Sequence, residues 1–335
     1  MTNWTSHDIP AQLGKRAIVT GATGGLGYET AFELARVGAH VILTGRNQEA
    51  GDKALRRIRA VFPTAHVRFE HLDLASLDSV VDFTKGMLWE NTRIDLLINN
   101  AGVMALKHRQ TTADGFEMQL GTNYLGHFAL TARLLPLLAG SHRARVVNLS
   151  SLAHRQGRID FDDLHGVRRY RPWTAYAQSK LAMLQFAREL QARSAEHGWG
   201  LTSLAAHPGW ARTDLIAKGP GKVSLMNLFA RPFAPFLSHS ANDGAQPTLY
   251  AATHHLAEPG GYYGPGGVGE LKGAPALARV MPHARNDDTA RRLWDVSCAL
   301  TAVRLECAAI AAVGFRLRFR PCVAVCPRTS ACRRS

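Results

Sequence analysis

Tyr176 and Lys180 stand four residues apart in the segment Tyr-Ala-Gln-Ser-Lys. On a helix that spacing sends both side chains out of one face, a turn apart. An ammonium beside a phenol favours the phenolate. It is expected to lower the tyrosine pKa from roughly 10 toward neutrality. Such a tyrosine can give a proton to a carbonyl oxygen or take one from an alcohol. The pair alone is weak evidence, because Tyr and Lys one turn apart are common on exposed helices. It gains its meaning from a second segment upstream.

That segment is Thr20-Gly21-Ala22-Thr23-Gly24-Gly25-Leu26-Gly27. It follows the short apolar run Arg16-Ala17-Ile18-Val19, which reads as a buried parallel strand. It precedes Tyr28 to Val37, where Phe32, Leu34 and Ala35 suit a packed helix. Strand, glycine turn and helix make an anion site: glycines admit a pyrophosphate close to the backbone, and the helix N-terminus offers free N–H groups. The spacing is Gly-x-x-x-Gly-x-Gly, not the more familiar Gly-x-Gly-x-x-Gly.

Around these two segments, strands and helices alternate. Strands are expected at 40–44, 67–72, 94–98, 144–149 and 200–206, with a shorter seventh near 261–263. Helices are expected at 48–61, 77–89, 116–138 and 174–196. This order implies right-handed crossovers, a parallel sheet and helices on both faces. The ligand crevice then opens at the carboxyl ends of the strands.

The chain resembles the short-chain dehydrogenase/reductase family. The resemblance is carried by Thr20 to Gly27, Asn99-Asn100-Ala101-Gly102, the pair Ser150-Ser151, Tyr176-x-x-x-Lys180 and Pro208-Gly209, in the family's order. It covers about residues 12 to 300 and implies one Rossmann-like, doubly wound domain of about seven strands. It also implies an NAD(P)-dependent enzyme acting on CH-OH and C=O groups. By the same resemblance, Gly21, Thr23, Gly25, Leu26 and Gly27 hold the cofactor phosphates. Asp73 and Leu74 match the adenine-contacting pair, and Asp73 is also a possible helix N-cap. Asn100 and Gly102 lie along the ribose and nicotinamide, and Pro208 and Thr213 close over the carboxamide.

Cofactor choice can be read from the end of the second strand, Thr44-Gly45-Arg46-Asn47. An acidic residue there would bind a ribose 2′-OH. Arg46 instead offers a planar cationic fork to a 2′-phosphate, so NADP(H) is favoured over NAD(H).

On the catalytic side, Tyr176 is the acid/base. Lys180 lowers its pKa and, by resemblance, holds the nicotinamide ribose. Adjacent strand residues face opposite ways, so only one of Ser150 and Ser151 can serve the substrate. Matching to the family's motif selects Ser151. Asn123 matches the family's helical asparagine, which organises a proton path to the lysine. Ser151 and Tyr176 are 25 residues apart, longer than is usual in the family. With Asn148-Leu149-Ser150-Ser151-Leu152-Ala153-His154, this length resembles the retinol-dehydrogenase-like branch, which includes the oxidoreductase half of WW-domain proteins.

The 335 residues divide into an N-terminal lead (1–12), a catalytic domain (13–300) with a substrate lid at 210–240, and a basic tail (301–335). The lid holds Leu215, Ile216, Leu225, Met226, Phe229, Phe233 and Phe236, which suits a lipophilic alcohol, aldehyde or ketone. From Arg304 onward there are seven arginines, one acid and four of the chain's five cysteines. No period there is long enough to build a core, so disorder is expected. The formal charge is +14, but no nucleic-acid-binding motif accompanies it. Neither a metal-ligand spacing nor a membrane-spanning run is visible, and a cytoplasmic location is expected. The resemblance further implies a homo-oligomer built through the helices at 116–138 and 174–196. A competing reading is a non-catalytic dinucleotide-binding sensor or scaffold, but such a protein need not keep the tyrosine, lysine and serine together.

Overall fold

The computed structural model describes residues 4–141, 143–210 and 240–303. Eight strands form one sheet: β1 Arg16–Thr20, β2 His40–Gly45, β3 Val67–His71, β4 Leu96–Asn99, β5 Arg145–Leu149, β6 Thr202–Ala206, β7 Tyr262–Pro265 and β8 Pro275–Leu277. Their order is β3-β2-β1-β4-β5-β6-β7-β8. All neighbours pair in parallel except β7 with β8. The expectation of about seven strands falls short by this last one. It is three residues long and starts on proline, which cannot donate to a ladder and is confined to such edges.

The helices are α1 Gly25–Arg36, α2 Gln48–Val61, α3 Leu77–Glu90, α4 Met118–Leu120, α5 Gly126–Ala139, α6 Pro172–His197, α7 Ala241–Thr253 and α8 Asp287–Thr301. Strand residues feed two cores alternately, as the two-residue period demands. Ile18, Leu97, Val146 and Ala205 join a core with Phe83, Phe128, Leu184 and Leu293, from α3, α5, α6 and α8. Val19, Ile98, Val147 and Leu204 join the opposite core with Leu34, Ile58 and Leu249, from α1, α2 and α7. The sheet is therefore buried on both faces, and its strands read as apolar runs for that reason.

The expected helix at 116–138 is not continuous. Between α4 and α5 the backbone widens into a π turn, Gly121–Leu125, with Asn123 at its centre. Such turns recur where a helix must present functional groups. The N-terminal lead contributes to the core: Trp4 and Ile9 are buried, and the Trp4 ring meets Tyr250 edge-on at 5.3 Å.

The closing helix α8 packs on the two helices expected to mediate self-association. Its Trp294 ring lies 5.1 Å from Phe128 and 5.9 Å from Phe186. The Tyr124 and Ser297 hydroxyls bond at 2.7 Å. Among the described residues, no helix is long and apolar enough to cross a membrane. No group of three or more His, Cys, Asp or Glu side chains is placed there to hold a metal. Most of the expected lid, with Thr213, and the tail from 304 lie outside the described residues.

Candidate active site

The strand order reverses between β1 and β4, and an open α/β sheet binds ligands at such a point. Both strands end there in a turn. After β1, Gly21 adopts φ +65°. A Cβ on it would sit 3.0 Å from Ala101. A Cβ on Gly27 would fall 2.4 Å from Asn100 Nδ2 and 2.5 Å from the Gly21 oxygen. The two turns thus pack directly on each other, which explains Gly21 and Gly27 by space alone. Helix α1 begins after Gly24, its N-cap residue, with no side-chain cap and no acid in its first turn. Its leading edge is suited to a phosphate.

The Asn100 side chain donates to the Thr20 carbonyl at 2.7 Å. Gly102 lies where a Cβ would approach Asn123 Oδ1 at 3.0 Å and Lys180 Nζ at 3.5 Å. Arg46 is exposed one residue beyond Gly45, and Gly45 abuts the Thr23 side chain. The guanidinium therefore starts from beside the glycine turn. Leu26 packs at the edge of one core, and Leu74 is buried. Asp73 accepts from Ala75 N at 2.9 Å and so closes its own turn. The helix N-cap expected of it is Ser76 instead, which accepts from Ser79 N.

At the end of β5 the two serines part. Ser150 is buried and donates to the Lys180 carbonyl at 2.7 Å. The Ser151 hydroxyl accepts from Ala153 N at 3.2 Å and lies close enough to the Tyr176 phenol to lower its pKa. Asn123 donates to Ser179 Oγ at 2.9 Å, and Ser179 in turn donates to the Tyr176 carbonyl at 2.8 Å. Asn123 also clasps Val103 through both its oxygen and its amide. The structure thus brings Ser151, Tyr176, Lys180 and Asn123 to one place.

The electrostatics differ from expectation. Burial pushes the Tyr176 phenol up to about 12, against the bond from Ser151. Burial likewise pushes Lys180 down to about 8. The ammonium stands 5.8 Å from the phenol ring centroid and donates to the Leu149 carbonyl at 3.0 Å. Desolvation is the larger effect for both groups. Spacing in sequence does not encode it.

The lysine carries a stability consequence. Below pH 8 or so its burial cost is fully present; the cost falls as pH rises toward the ordinary lysine value, where the unfolded chain also loses the proton. Lys180→Met is therefore expected to raise the Tm by about 5 °C at pH 7. The gain over wild type should shrink by pH 10. A gain that is independent of pH would reject a buried ammonium as its source.

Several contributors were not legible in the sequence. Trp173 lies one turn before Tyr176 with ring centroids 5.6 Å apart, and it is held by Gln156 at 2.9 Å. Met104 packs against the same small cluster of Ala153, Tyr176 and Ala177. His154 is fully buried, and its Nδ1 donates to the Ser151 carbonyl at 2.7 Å. His207 Nε2 meets Glu270 at 3.0 Å while its Nδ1 accepts from Gly209 N. Glu270 also receives Arg155 at 2.7 Å. This network ties the Pro208-Gly209 turn to the segment after Ser151. A histidine three residues beyond the serine was the only sequence signal for it.

Comparison with known proteins supplies the context. A family model described as short chain dehydrogenase matches residues 15–221. Human retinol dehydrogenase 13 is 45% identical over 294 residues, covering 87% of this chain and 85% of the relative. A crystal structure of an uncharacterised protein from Mycobacterium paratuberculosis aligns with a TM-score of 0.75 at 39% identity, over 91% of this chain and all of that one. A Shigella flexneri short chain dehydrogenase complexed with NADP aligns with a TM-score of 0.60 at 25% identity, over 76% of this chain and 98% of that one.

Proposed function

We propose, since this chain belongs to the short-chain dehydrogenase/reductase family and within it to the retinol-dehydrogenase-like branch, that it is an NADP(H)-dependent oxidoreductase of lipophilic carbonyls and alcohols. The observation that carries the reading is the buried Tyr176 phenol with the buried Lys180 Nζ 5.8 Å from its ring centroid and the Ser151 hydroxyl acting on its pKa. The bound nicotinamide would supply or accept the hydride. The residues of the glycine turn, with Asn100 and Gly102, would hold it, and their close packing leaves backbone where a side chain would otherwise intrude.

Ser151 orients the substrate oxygen, and Tyr176 gives that oxygen its proton. A phenol near 12 is protonated at neutral pH, so it stands ready as a donor. Lys180 supplies charge beside the site, and Asn123 holds the Tyr176 turn through Ser179. Substrate class follows from the rim. Trp173, about two-fifths exposed, and Met104 both pack beside Tyr176. Partly exposed aromatics flanking a polar centre suit an extended apolar molecule, and retinoids are the first class to try.

The test is a panel of all-trans-retinal, retinol and aliphatic aldehydes, ketones and alcohols with NADPH or NADP, followed by absorbance of the reduced nicotinamide. Reduction should be nearly flat between pH 6 and pH 8. Oxidation should rise by up to about tenfold per pH unit over that range, because it needs the phenolate. Absence of turnover with every compound, despite measurable cofactor binding, would favour a non-catalytic sensor.

A further inference from the structure

His127 has no part in the reaction just described, yet it occupies the point where the site's segments meet. It is the second residue of α5, directly after the π turn, and it is fully buried. An imidazole in such a position is costly unless both nitrogens are partnered. Both are. Nδ1 lies 2.8 Å from the Asn123 carbonyl, and Nε2 lies 2.8 Å from Thr20 Oγ1.

The proton positions follow from the partners. A carbonyl only accepts, so Nδ1 carries the hydrogen. Burial pushes the imidazole down to about 3, against the Asn123 bond and with the Lys180 charge adding to the effect, so the ring is neutral and Nε2 accepts. The Thr20 hydroxyl must then be the donor. Its single proton has a second possible acceptor, the Ile98 carbonyl, but at 3.2 Å that contact is longer. With the proton directed at His127, the hydroxyl's lone pairs face the Asn100 and Ala101 amides, which donate to it at 2.8 and 2.9 Å.

We propose that His127 is a positioning residue that couples the cofactor cradle to the catalytic helix. Through Thr20 it fixes the Asn100–Ala101 turn against the glycine turn. Through the Asn123 carbonyl it holds the π turn whose side chain reaches Ser179 and the Tyr176 turn. The proposal rests on the cofactor reading above for its consequence, but the geometry can be tested without cofactor.

Two substitutions separate the two bonds. His127→Asn places an amide where Nδ1 was, keeping the Asn123 link and losing the Thr20 link. His127→Gln reaches toward Thr20 with a carbonyl oxygen and keeps that link. In the full-length protein without cofactor, amide hydrogen exchange over 98–103 should be about tenfold faster in His127→Asn, and within about threefold of wild type in His127→Gln. NADPH affinity, read by tryptophan fluorescence, should fall about tenfold in the first variant and little in the second. Thr20→Val should produce the same loss, and adding His127→Asn to it should cost no more than about twofold further, because both break one link.

Equal impairment of both His127 variants, with faster exchange spread evenly over the chain, would mean a merely structural histidine and overturn the proposal. Multiplicative losses in the double variant would overturn it as well. If wild type bound neither NADPH nor NADH, the functional reading would fall, while the exchange pattern over 98–103 would still decide the role of His127.

Discussion

Tyr176→Phe is expected to lower carbonyl reduction by roughly 100- to 10,000-fold, the range for loss of a positioned general acid. The substitution removes one hydroxyl and nothing else. The ring keeps its contacts with Trp173, Met104 and Ala177, so the pocket wall survives. NADPH binding should therefore stay within about threefold of wild type, because the loss falls on kcat rather than on a contact that substrate and transition state share. The Tm should change by no more than about 2 °C, since the phenol is neutral at pH 7 and its ring packing is kept. Single-turnover reduction with enzyme in excess would isolate the chemical step. Full turnover in the variant would remove Tyr176 from the mechanism and leave Ser151 as the nearest remaining hydroxyl.

Arg46→Asp is expected to reverse cofactor preference. Arg46 is exposed at the end of β2, past a glycine that abuts the phosphate turn, and no acid stands in the Thr44 to Asn47 segment. In the wild type a cationic fork there can meet a 2′-phosphate in two bonds. Aspartate replaces attraction with repulsion and offers an acceptor to a free ribose hydroxyl. The ratio of kcat/KM for NADPH over NADH should fall by about 100-fold or more, the sum of one interaction lost and one opposed. Arg46→Ala, which only removes the attraction, should lie between. Loss shared equally by both cofactors would assign selectivity to other residues.

Much of this site is written in local spacing. The turn from Thr20 to Gly27, the Asn99 to Gly102 turn and the Tyr176 to Lys180 step are each short, and a strand or helix fixes their geometry once its period is recognised. The apolar runs of β1, β4, β5 and β6, alternating with helices, likewise made the doubly wound sheet readable, because each strand must feed two cores. What was not readable depends on distant parts of the chain. The π turn at Gly121–Leu125 leaves the apolar pattern of a helix intact, so the pattern extends straight through it. Strand β8 is too short to show a period and forms only because β7 offers an edge. The Tyr176 pKa is set by burial beside Ala153 and Met104, far apart in the chain, and the sign of its shift could not come from a neighbour four residues away. His127 and Trp173 are single residues without a motif. Their roles appear only when Thr20 and Gln156 are brought beside them.

The position of α8 bears on how this molecule comes into being. Synthesis delivers the chain from its N-terminus, and the glycine turn, the tyrosine helix and six of the eight strands emerge early. The core beneath α5 and α6 is still open at that stage. Phe128 and Phe186 await Trp294, and the Tyr124 hydroxyl awaits a partner 173 residues downstream. Such a contact has a high closure cost and cannot form while its second half is inside the ribosome. A nascent chain therefore carries the glycine turn and the tyrosine helix beside an unfinished aromatic groove at the same time. Its order of vulnerability is set by this: until α8 arrives, the apolar surface left open to chaperones and proteases is the α5–α6 face.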